Sequence, residues 1–431
     1  MKKKNKLGII GLGYVGLPLF IEFSKKFDVK GFDLSKKKIR QLYNKIDYTN
    51  QFTKNDLKKI SKSNVSYDSA ILKNCNFYIV TAPTPINSKK LPDLSAVILA
   101  TEILCKYIEE GDYVVYESTF YPGVTEDICV KLIEKKTGLK PITDQSKKSE
   151  KGFYYGYSPE RINPGDKKHR LKNIIKITSG GSFMSARHID NLYKKICTAG
   201  TFKAKSVKVA EAAKAIENTQ RDINIALINE FSQIFSKMKI NIYDVLKAAK
   251  TKWNFLNFNP GLVGGHCIGI DPYYLAFKAK KLGYNSKLTL AGRKLNDEMH
   301  IFIFNKLITS LKKISKKKKY KILIAGLSFK ENINDFRNSR SVILSNYIKK
   351  KGHKIEVFDN NISYKEFKKE NNLKIIKKPK KKFYDAILIT VAHKSFRLLS
   401  KDYFQSLLIN KKKGIIFDIK NIFNEKKFTS L

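Results

Sequence analysis

The stretch LGIIGLGYVGLPLFIEFSKKFDVKGFD, residues 7–33, decides the fold of the first half of the chain. The apolar run Leu7–Ile10 predicts a β-strand, and the glycine-rich turn GLGYVG at 11–16 follows it directly. A helix-compatible segment and a second predicted strand, Val29–Asp33, come next. The acid that ends this strand lies 20 residues after Gly13. This order is the dinucleotide-binding fingerprint, so the stretch predicts a Rossmann-like unit.

The residues of this fingerprint have separate roles. The first glycine makes the tight turn, the second lets a pyrophosphate approach the backbone, and the third lets helix and strand pack. The helix N-terminus adds N–H donors and a positive dipole end. The terminal acid can bind adenosine ribose hydroxyls and would repel a 2′-phosphate, which favours NAD over NADP. The candidate cofactor-binding residues here are Gly11, Gly13, Tyr14, Val15, Gly16 and Asp33.

Four more strand-like runs follow: Phe77–Thr81, Tyr113–Ser118, Phe153–Tyr157 and Ile174–Ser179. Turn residues come after the first three, as TAPTP at 81–85, STFYPG at 118–123 and SPERINPG at 158–165. An open α/β sheet binds its ligand at the carboxyl ends of its strands. These turns therefore supply further candidate site residues, which are Thr81, Pro83, Thr84, Thr119, Glu160 and Arg161.

The segment Val207–Met238 contains neither glycine nor proline and carries apolar residues at helical spacing. One helix of that length would extend about 48 Å, enough to link two domains and to form the spine of a dimer. Lys214, Asn218 and Arg221 fall on one face of this predicted helix. A solvated polar stripe is the alternative explanation for these three residues.

The last third of the chain predicts a second α/β unit. It follows a helical segment at 301–311 and a lysine-rich linker at 315–319. Its strand-like runs are Tyr320–Ala325, Lys354–Phe358, Ala386–Val391 and Gly414–Ile419. The unit echoes the first but has no G-x-G-x-x-G motif. Lys330, Arg337 and Lys420 lie near its turns and are candidates for holding phosphates or a base, although each alone is more often a surface cation.

A second glycine-rich stretch, NPGLVGGHCIGIDPYY at 259–274, contains one cysteine, Cys267. Glycines without side-chain bulk let a ligand approach the backbone, so this thiol can be a nucleophile. A small thiol buried in a tight loop is the alternative. We expect a structural role for the neighbouring His266, because adjacent side chains point apart.

The composition limits the class of protein. Lys+Arg 85 against Asp+Glu 38 gives a formal net charge of +47, which permits nucleic-acid binding, but the lysines are spread along all 431 residues. The five cysteines are an odd number without C-x-x-C spacing, which argues against a disulfide framework or a metal site and fits a reducing cytoplasm. We find no apolar stretch long enough to span a bilayer.

Taken in order, these motifs resemble those of the UDP-sugar 6-dehydrogenases, the UDP-glucose/GDP-mannose dehydrogenase superfamily. The resemblance covers nearly the whole chain and is nearest to bacterial UDP-N-acetylhexosamine (UDP-GlcNAc/UDP-GalNAc) 6-dehydrogenases, which supply acidic sugars for surface glycans. It implies an α/β fold with two Rossmann-like doubly wound domains joined by a long central helix and a helical middle segment. The implied domains are an NAD-binding domain at 1–200, a central dimerisation segment with the cysteine loop at 201–312, and a UDP-sugar-binding domain at 313–431.

The resemblance also implies a reaction, the four-electron oxidation of a UDP-sugar C6 alcohol to a carboxylate with NAD. The cysteine of the family captures the aldehyde as a thiohemiacetal, which becomes a thioester and is hydrolysed. A cytoplasmic homodimer or higher homo-oligomer is implied, with no nucleic acid or membrane as partner. The implied catalytic residues are Cys267, Lys214, Asn218, Asp271, Glu160 and Thr119. The implied substrate-binding residues are Glu160, Arg161, Lys214, Asn218, Arg221, Phe258, Gly261, Gly264, Lys330, Arg337 and Lys420.

Four positions depart from the family pattern. Ile270 stands where UDP-glucose members have lysine, which favours an N-acetylhexosamine substrate. Lys38, at a cofactor-binding position, and Lys420 replace arginines and lose the bidentate fork. Pro164 replaces a glutamate found in some members. UDP-ManNAc, UDP-glucose and GDP-mannose stay open as substrates, and an inactive nucleotide-sugar-binding protein and a basic nucleic-acid-binding protein are the alternatives from other classes.

Overall fold

The computed structural model describes residues 5–49, 51–147, 150–161, 170–265, 268–423 and 430–431. The chain forms two units. The first comprises Met1–Glu217 and Tyr273–Asn285, and the second comprises Asn218–Pro272 and Ser286–Leu431. Each unit contains an α/β sheet with parallel strands around its centre. The predicted fold class is therefore confirmed.

The first unit is built on a sheet with the strand order β3-β2-β1-β4-β5-β7-β8-β9, and β6 pairs with β7. Its strands are β1 (Lys6–Ile10), β2 (Asp28–Phe32), β3 (Val65–Ser66), β4 (Phe77–Val80), β5 (Tyr113–Tyr116), β6 (Lys140–Pro141), β7 (Gly152–Tyr157), β8 (Lys176–Gly180) and β9 (Thr201–Lys203). Its helices are α1 (Gly16–Phe23), α2 (Lys36–Tyr43), α3 (Ser95–Leu104), α4 (Lys131–Thr137) and α5 (Phe183–Lys194). The direction of winding reverses between β1 and β4, which is where a doubly wound sheet binds its ligand.

The central strands of this sheet form because their residues are apolar and are covered on both faces. All four residues of β4 are buried, and so are four of the five residues of β1. Side chains of β1 and α1, among them Leu7, Leu17 and Phe20, share one apolar core. The long strands predicted from the sequence are confirmed, with ends that differ by one or two residues.

The predicted long helix is confirmed as α6 (Val207–Lys237), whose 31 residues extend about 46 Å. It begins in the first unit and ends in the second. Two other helices of the second unit are α7 (Ile242–Ala249) and α9 (Lys287–Ile314), and α8 (Asp271–Lys281) leads from the second unit back into the first. Buried apolar residues of α6, α7 and α9 belong to one core in the second unit.

The second unit has a parallel sheet with the order β11-β10-β12-β13. Its strands are β10 (Lys321–Ala325), β11 (Lys354–Phe358), β12 (Ala386–Ile389) and β13 (Ile415–Asp418). Its remaining helices are α10 (Arg340–Lys350), α11 (Tyr364–Glu370), α12 (Lys394–Arg397) and α13 (Lys401–Leu407). Here the winding reverses between β10 and β12, so the predicted second Rossmann-like unit is confirmed.

A set of hydrogen bonds fixes the turn after β1. Gly11, at φ +96°, donates its N–H to the carbonyl of Phe32 at 2.8 Å. The next N–H, of Leu12, donates to Oδ2 of Asp33 at 3.0 Å. Thr81, just after β4, donates its hydroxyl to the Gly11 carbonyl at 2.7 Å. The ends of three neighbouring strands are thus joined at one glycine.

The second unit repeats this arrangement after β10, although it lacks the glycine motif. Gly326, at φ +102°, donates its N–H to the carbonyl of Phe358 at 2.9 Å. Leu327 donates its N–H to Oδ2 of Asp359 at 2.7 Å. The hydroxyl of Thr390, after β12, donates to the Gly326 carbonyl at 2.5 Å. We call this arrangement of glycine, acid and threonine the glycine lock.

Gly326→Ala tests the lock of the second unit. The left-handed φ costs any L-residue about 1–2 kcal/mol, and the new Cβ would lie 2.7 Å from Cβ of Val391 and 2.8 Å from its backbone nitrogen. Gly352 has φ +87° but no atom within 4 Å of an added Cβ, so Gly352→Ala is a matched control for strain alone. We expect Gly326→Ala to lower the free energy of unfolding in urea by about 2 kcal/mol more than Gly352→Ala. Equal losses would contradict the lock.

Candidate active site

The glycine-rich turn of the first unit is tightly packed at its ends and open in its middle. A Cβ added at Gly16 would lie 1.8 Å from the carbonyl oxygen of Gly11 and 2.5 Å from Oγ1 of Thr81. A Cβ at Gly13 would meet no atom within 4 Å. The backbone at Gly13 therefore faces space that a pyrophosphate can enter.

Helix α1 begins directly after this turn. Its N-cap is Val15, which forms no side-chain capping bond, so side chains leave the first N–H groups uncapped. Tyr14 and Val15 are both half-buried. After β4, Thr84 is half-buried and Pro83 is exposed, at the same edge of the sheet as the turn. This edge offers N–H donors and small turn residues to an anionic ligand.

Asp33 lies at the end of β2, where the sequence predicts a ribose-binding acid. Its Oδ1 accepts from the N–H of Ser35 at 2.9 Å, and Nζ of Lys38 lies 3.3 Å from its Oδ2. Lys38 also lies over the ring of Tyr48, whose hydroxyl donates to the Leu12 carbonyl. The open backbone at Gly13 and the carboxylate of Asp33 together fit the pyrophosphate and ribose of NAD.

The turn that carries Thr119 is anchored by a buried carboxylate on α6. Glu211 is 0% exposed and accepts from the N–H of Gly123 at 2.6 Å and from the N–H of Thr125 at 2.9 Å. The Thr125 hydroxyl also donates to it, at 2.7 Å. Burial raises the pKa of Glu211 to about 7, and these three donors oppose that shift. Thr119 itself is half-buried.

Two buried ammonium groups hold the backbone of the turn that carries Glu160. Nζ of Lys214 donates to the Glu160 carbonyl at 2.5 Å, and Nζ of Lys176 donates to the Pro159 carbonyl at 2.9 Å. Lys176 also forms a buried ion pair with Glu117 at 2.5 Å, and the Tyr193 hydroxyl donates to the same carboxylate. Burial raises the pKa of Glu117, and Lys176 opposes the shift. The structure thus brings the predicted residues Glu160 and Lys214 together.

The two predicted arginines of this region are placed differently. Arg161 pairs with Glu217 at 2.7 Å and donates to the Ile175 carbonyl at 2.9 Å. Arg221 is exposed. Arg161 is therefore fixed within the first unit by its side chain.

In the second unit, two of the predicted catalytic residues are in contact. Nδ2 of Asn218 donates to Oδ2 of Asp271, and both side chains are buried, at 7% and 0% exposure. Ile270, the position that bears on the choice of sugar, is 4% exposed. Cys267 and His266 lie outside the described residues.

The turn at Gly261 is held by buried amides. Asn229 of α6 accepts from the Gly261 N–H at 2.7 Å and donates to its carbonyl at 3.0 Å. Asn229 also donates to Asn296, which donates in turn to Asp222. Asp222 forms a buried ion pair with Arg293 at 2.5 Å. The segment before the cysteine is thus fixed by polar groups of α6 and α9 (hydrogen bonds to charged groups contribute about 1.5–3 kcal/mol each).

A cavity of about 340 Å³ opens in the second unit beside this turn. Its lining includes Gly264, Phe329, Lys330, Arg340 and Lys420. A Cβ at Gly261 would lie 2.7 Å from Nζ of Lys420, and a Cβ at Gly265 would lie 2.7 Å from the Phe329 ring. The absence of a side chain at these two glycines therefore leaves room for Lys420 and Phe329. Burial lowers the pKa of Lys420, and Glu331 opposes that shift. The size and the cations suit a nucleotide phosphate.

Two other predicted substrate residues are not among those that line the cavity. Arg337 forms a bidentate pair with Asp335, at 2.9 and 2.6 Å, and more than half of its side chain is exposed. Phe258 is half-buried and packs against the core of the second unit. Arg340 lines the cavity, pairs with Asp297 and donates to the Val263 carbonyl at 3.4 Å.

Several of these residues were missed by sequence reasoning. Glu211 and Lys176 gave no signal, because their partners are distant in sequence, such as Gly123 and Glu117. Arg340 had a signal, since it lies three residues after the candidate Arg337 and is the first residue of α10. Asp359 also had one, as an acid directly after a strand, in the position of Asp33.

Comparison with known families identifies the chain. Three models of the UDP-glucose/GDP-mannose dehydrogenase family match it: the NAD binding domain at 5–197, the central domain at 208–298 and the UDP binding domain at 323–425. The chain belongs to this family. It is 46% identical to the UDP-N-acetyl-D-glucosamine 6-dehydrogenase of Salmonella typhi over 418 residues, which is 97% of this chain and 96% of that protein.

Two other relatives agree with this assignment to the dehydrogenase family. The UDP-N-acetyl-D-glucosamine 6-dehydrogenase of Pseudomonas aeruginosa is 45% identical over 426 residues, which is 99% of both chains. The solved structure of a UDP-D-ManNAc dehydrogenase from Pyrococcus horikoshii has a TM-score of 0.86 at 28% identity and covers 99% of this chain and 98% of its own.

The family, the NAD-binding domain and the dehydrogenase class predicted from the sequence are thereby confirmed. The matched NAD-binding domain includes the glycine turn and Asp33, and the matched UDP-binding domain includes Lys330 and Lys420. The part of the chain that the structure describes contains no helix long and apolar enough to cross a membrane.

Gly13→Ala separates ligand approach from folding. An added Cβ would meet no protein atom within 4 Å, so we expect the free energy of unfolding to change by less than about 0.5 kcal/mol. The methyl group would occupy space that the pyrophosphate needs, so we expect NAD affinity to fall at least about tenfold. Calorimetry with NAD, with UDP as the control ligand, measures both affinities. Unchanged NAD affinity would remove Gly13 from the cofactor site.

The substitution Glu211→Gln tests whether the pKa of the buried Glu211 carboxyl is raised. The folded pKa, about 7, is above the unfolded value of 4.5, so between these pH values the folded protein binds more protons than the unfolded chain. The stability of the natural protein relative to the variant should therefore fall as pH rises from 5 to 7, by up to about 1.4 kcal/mol per pH unit. Urea unfolding of both proteins across this range measures the difference. A difference that is independent of pH would refute the raised pKa.

Proposed function

We propose that this protein oxidises the C6 alcohol of UDP-N-acetylglucosamine to the carboxylate, using NAD. Two hydrides leave each sugar and one water is incorporated. Full-length identity of 45–46% to two UDP-N-acetyl-D-glucosamine 6-dehydrogenases is the observation that carries this proposal. The buried residues Lys214, Asn218 and Asp271, all kept in this chain, support an active enzyme over an inactive binding protein.

Lys214 and Glu160 are proposed to act on the oxygen atoms of the reaction. The Lys214 ammonium, held at the Glu160 carbonyl, is suited to stabilise an alkoxide as negative charge develops on C6 oxygen. Glu160 is suited to position the water that hydrolyses the thioester, because hydrogen bonds fix the backbone at its own carbonyl and at that of Pro159. Thr119, half-buried on the turn that Glu211 anchors, is proposed to hold a water near the cofactor.

NAD, when bound by the turn at 11–16 and Asp33, supplies the hydride acceptor. Asn218 is proposed to donate to the C6 oxygen, and its contact with Asp271 fixes the orientation of the amide. Asp271 is proposed to take up the alcohol proton through a water molecule. Both groups are buried, which keeps bulk water from competing for these bonds.

Cys267 is proposed as the nucleophile. Its sulfur forms a bond to the aldehyde carbon, and the carbonyl oxygen takes a proton to give a thiohemiacetal. Loss of a hydride from that carbon, together with the proton of its hydroxyl group, leaves a thioester. Water then adds to the thioester carbon, the C–S bond breaks, and the carboxylate and the thiolate are released with two protons. The four cysteines in the described residues are poor alternatives, because burial raises the pKa of Cys105 and Cys197 to about 11 and of Cys75 and Cys129 to about 12.

The UDP part is proposed to bind in the cavity of the second unit. Lys330, Lys420 and Arg340 supply cations, and Phe329 offers a ring that a base can stack on. Desolvation makes the Lys420 ammonium costly on its own, so a phosphate beside it would be stabilised strongly. The apolar Ile270 supports an N-acetylhexosamine rather than glucose, and UDP-ManNAc is the nearest alternative.

A homodimer in the cytoplasm is also proposed. Leu227, Phe231 and Ile234 follow each other at helical spacing along α6, and Met238 comes directly after its last residue. The exposed fractions of these four side chains run from 37% to 59%. An apolar stripe of this length supports association with a second copy. The four described cysteines form no disulfides, and a nucleophilic thiol needs a reducing compartment.

A panel of UDP-GlcNAc, UDP-GalNAc, UDP-ManNAc, UDP-glucose and GDP-mannose with NAD tests the function. We expect fastest turnover of UDP-GlcNAc, with two NADH per sugar and a carboxylate product identified by mass. Cys267→Ala should form no carboxylate and at most one NADH per sugar, slowly, because the thioester cannot form. Cys105→Ala is the matched control and should keep both NADH. Turnover of UDP-glucose alone, or carboxylate from Cys267→Ala, would contradict the proposal.

A further inference from the structure

The two glycine locks lead into different structures. In the first unit, helix α1 begins at Gly16, five residues after Gly11. In the second unit, α10 begins at Arg340, fourteen residues after Gly326. The residues directly after Gly326 therefore lack the helical hydrogen bonds that order the first turn. They still carry Phe329 and Lys330, which line the cavity. Another contact must hold them.

His393 supplies that contact. It is 0% exposed and precedes α12. Its Nδ1 accepts from the N–H of Asn332 at 2.9 Å. Its Nε2 lies 3.1 Å from Oδ2 of Asp359 and 3.3 Å from Oγ of Ser328. The imidazole thus bridges the acid of the lock and the segment 326–332, which we call the nucleotide loop.

The direction of these bonds fixes the tautomer of His393. Nδ1 accepts a backbone N–H, so the ring proton is on Nε2 and is donated to the Asp359 carboxylate. Ser328 donates its own hydroxyl to the Lys330 carbonyl at 2.7 Å, so its oxygen can accept from Nε2. One neutral ring therefore connects both ends of the nucleotide loop.

Asn332 is held in return. It has φ +60°, a left-handed backbone conformation that asparagine adopts more readily than most L-residues. Its Oδ1 accepts from the N–H of Lys394, the residue after His393, at 2.8 Å. The turn at His393 and the nucleotide loop are thus joined by two reciprocal bonds, which set the direction of the backbone at Lys330.

The His393 ring also covers Asp359, the acid of the second glycine lock. Asp33, its counterpart in the first unit, is 7% exposed, whereas Asp359 is 0% exposed. Oδ2 of Asp359 accepts from the N–H groups of Leu327 and Ser328 in addition to His393. A ribose cannot reach this carboxylate. The second unit therefore keeps the lock but uses its acid to hold the nucleotide loop.

We propose that His393, in its neutral Nε2–H form, is a positioning residue that sets Phe329 and Lys330 for the UDP part of the substrate. This inference rests on the proposed function, because it takes the cavity as the UDP site. His393 does not line the cavity, and it acts on the substrate site through the backbone of the nucleotide loop. Its loss should therefore weaken nucleotide binding and leave the hydride-transfer residues intact.

Two substitutions divide the functions of the ring. In His393→Asn, Oδ1 takes the place of Nδ1 and keeps the bond from the Asn332 N–H. In His393→Gln, the amide reaches Asp359 but loses that acceptor. We expect His393→Gln to raise the KM for the UDP-sugar at least about tenfold with kcat and the KM for NAD nearly unchanged. In His393→Asn, the KM for the UDP-sugar should stay within about threefold of the value for the natural protein. Equal effects of both variants, or a fall in kcat without a change in KM, would overturn the proposal.

His353→Gln is the matched control. This half-buried histidine of the same unit also accepts a backbone N–H, from Tyr320 at 3.3 Å, but Tyr320 lies outside the nucleotide loop. We expect the KM for the UDP-sugar to stay at its natural value in this variant. A rise as large as in His393→Gln would indicate general destabilisation and overturn the proposal.

Hydrogen exchange separates this inference from the proposed function. Peptides that cover 326–334 should exchange faster in His393→Gln than in His393→Asn, with no ligand present. Calorimetry with UDP alone should show weaker binding to the Gln variant. If the natural protein oxidises none of the sugars, these measurements still test the role of His393. Equal exchange in both variants would contradict it.

Discussion

A carboxylate that accepts the N–H after a left-handed glycine is the interaction on which both sheets depend. Asp33 and Asp359 each directly follow the second strand of their unit. Each accepts a hydrogen bond from the backbone N–H of the residue after the glycine that follows the first strand. Without the carboxylate this buried N–H would lack its acceptor, at a cost of about 1–3 kcal/mol. The bond determines where the chain turns after the central strand, and therefore which groups face a ligand at the switch point.

The exposure of the carboxylate decides what the lock can do. In the first unit a slightly exposed Asp33, open backbone at Gly13 and an immediate helix suit a dinucleotide. In the second unit the acid is enclosed by His393, and a longer loop brings a ring and a cation to a cavity. The same backbone arrangement thus offers different groups to a ligand in the two units, because the groups around the acid differ.

The sequence predicted those parts whose partners are close along the chain. The strand, the glycine turn and the acid of the first lock could be predicted, because they lie within residues 7–33. In the second lock only Asp359 had a signal, as an acid directly after a strand. Gly326 is followed by no glycine motif, and His393 is 61 residues from Asn332. Arg337 was a reasonable candidate by position, but its pairing with Asp335 depends on local backbone geometry. The contacts of Glu211 with Gly123 and Thr125 likewise join residues 86 to 88 apart.

The lysines show most clearly what composition conceals. The net charge of +47 is a property of the whole chain, so it does not indicate which lysines belong to a functional site. Among the described residues, Lys176 and Lys214 are the lysines with the least exposed surface, at 0% and 6%. They donate to consecutive carbonyls, of Pro159 and Glu160. Burying an ammonium group is costly unless it is paired. Here Lys176 forms an ion pair with Glu117, and Lys214 donates to the Glu160 carbonyl. Burial therefore identifies the turn at Glu160 as a place where charge has been positioned, which supports a reaction there that develops negative charge on oxygen.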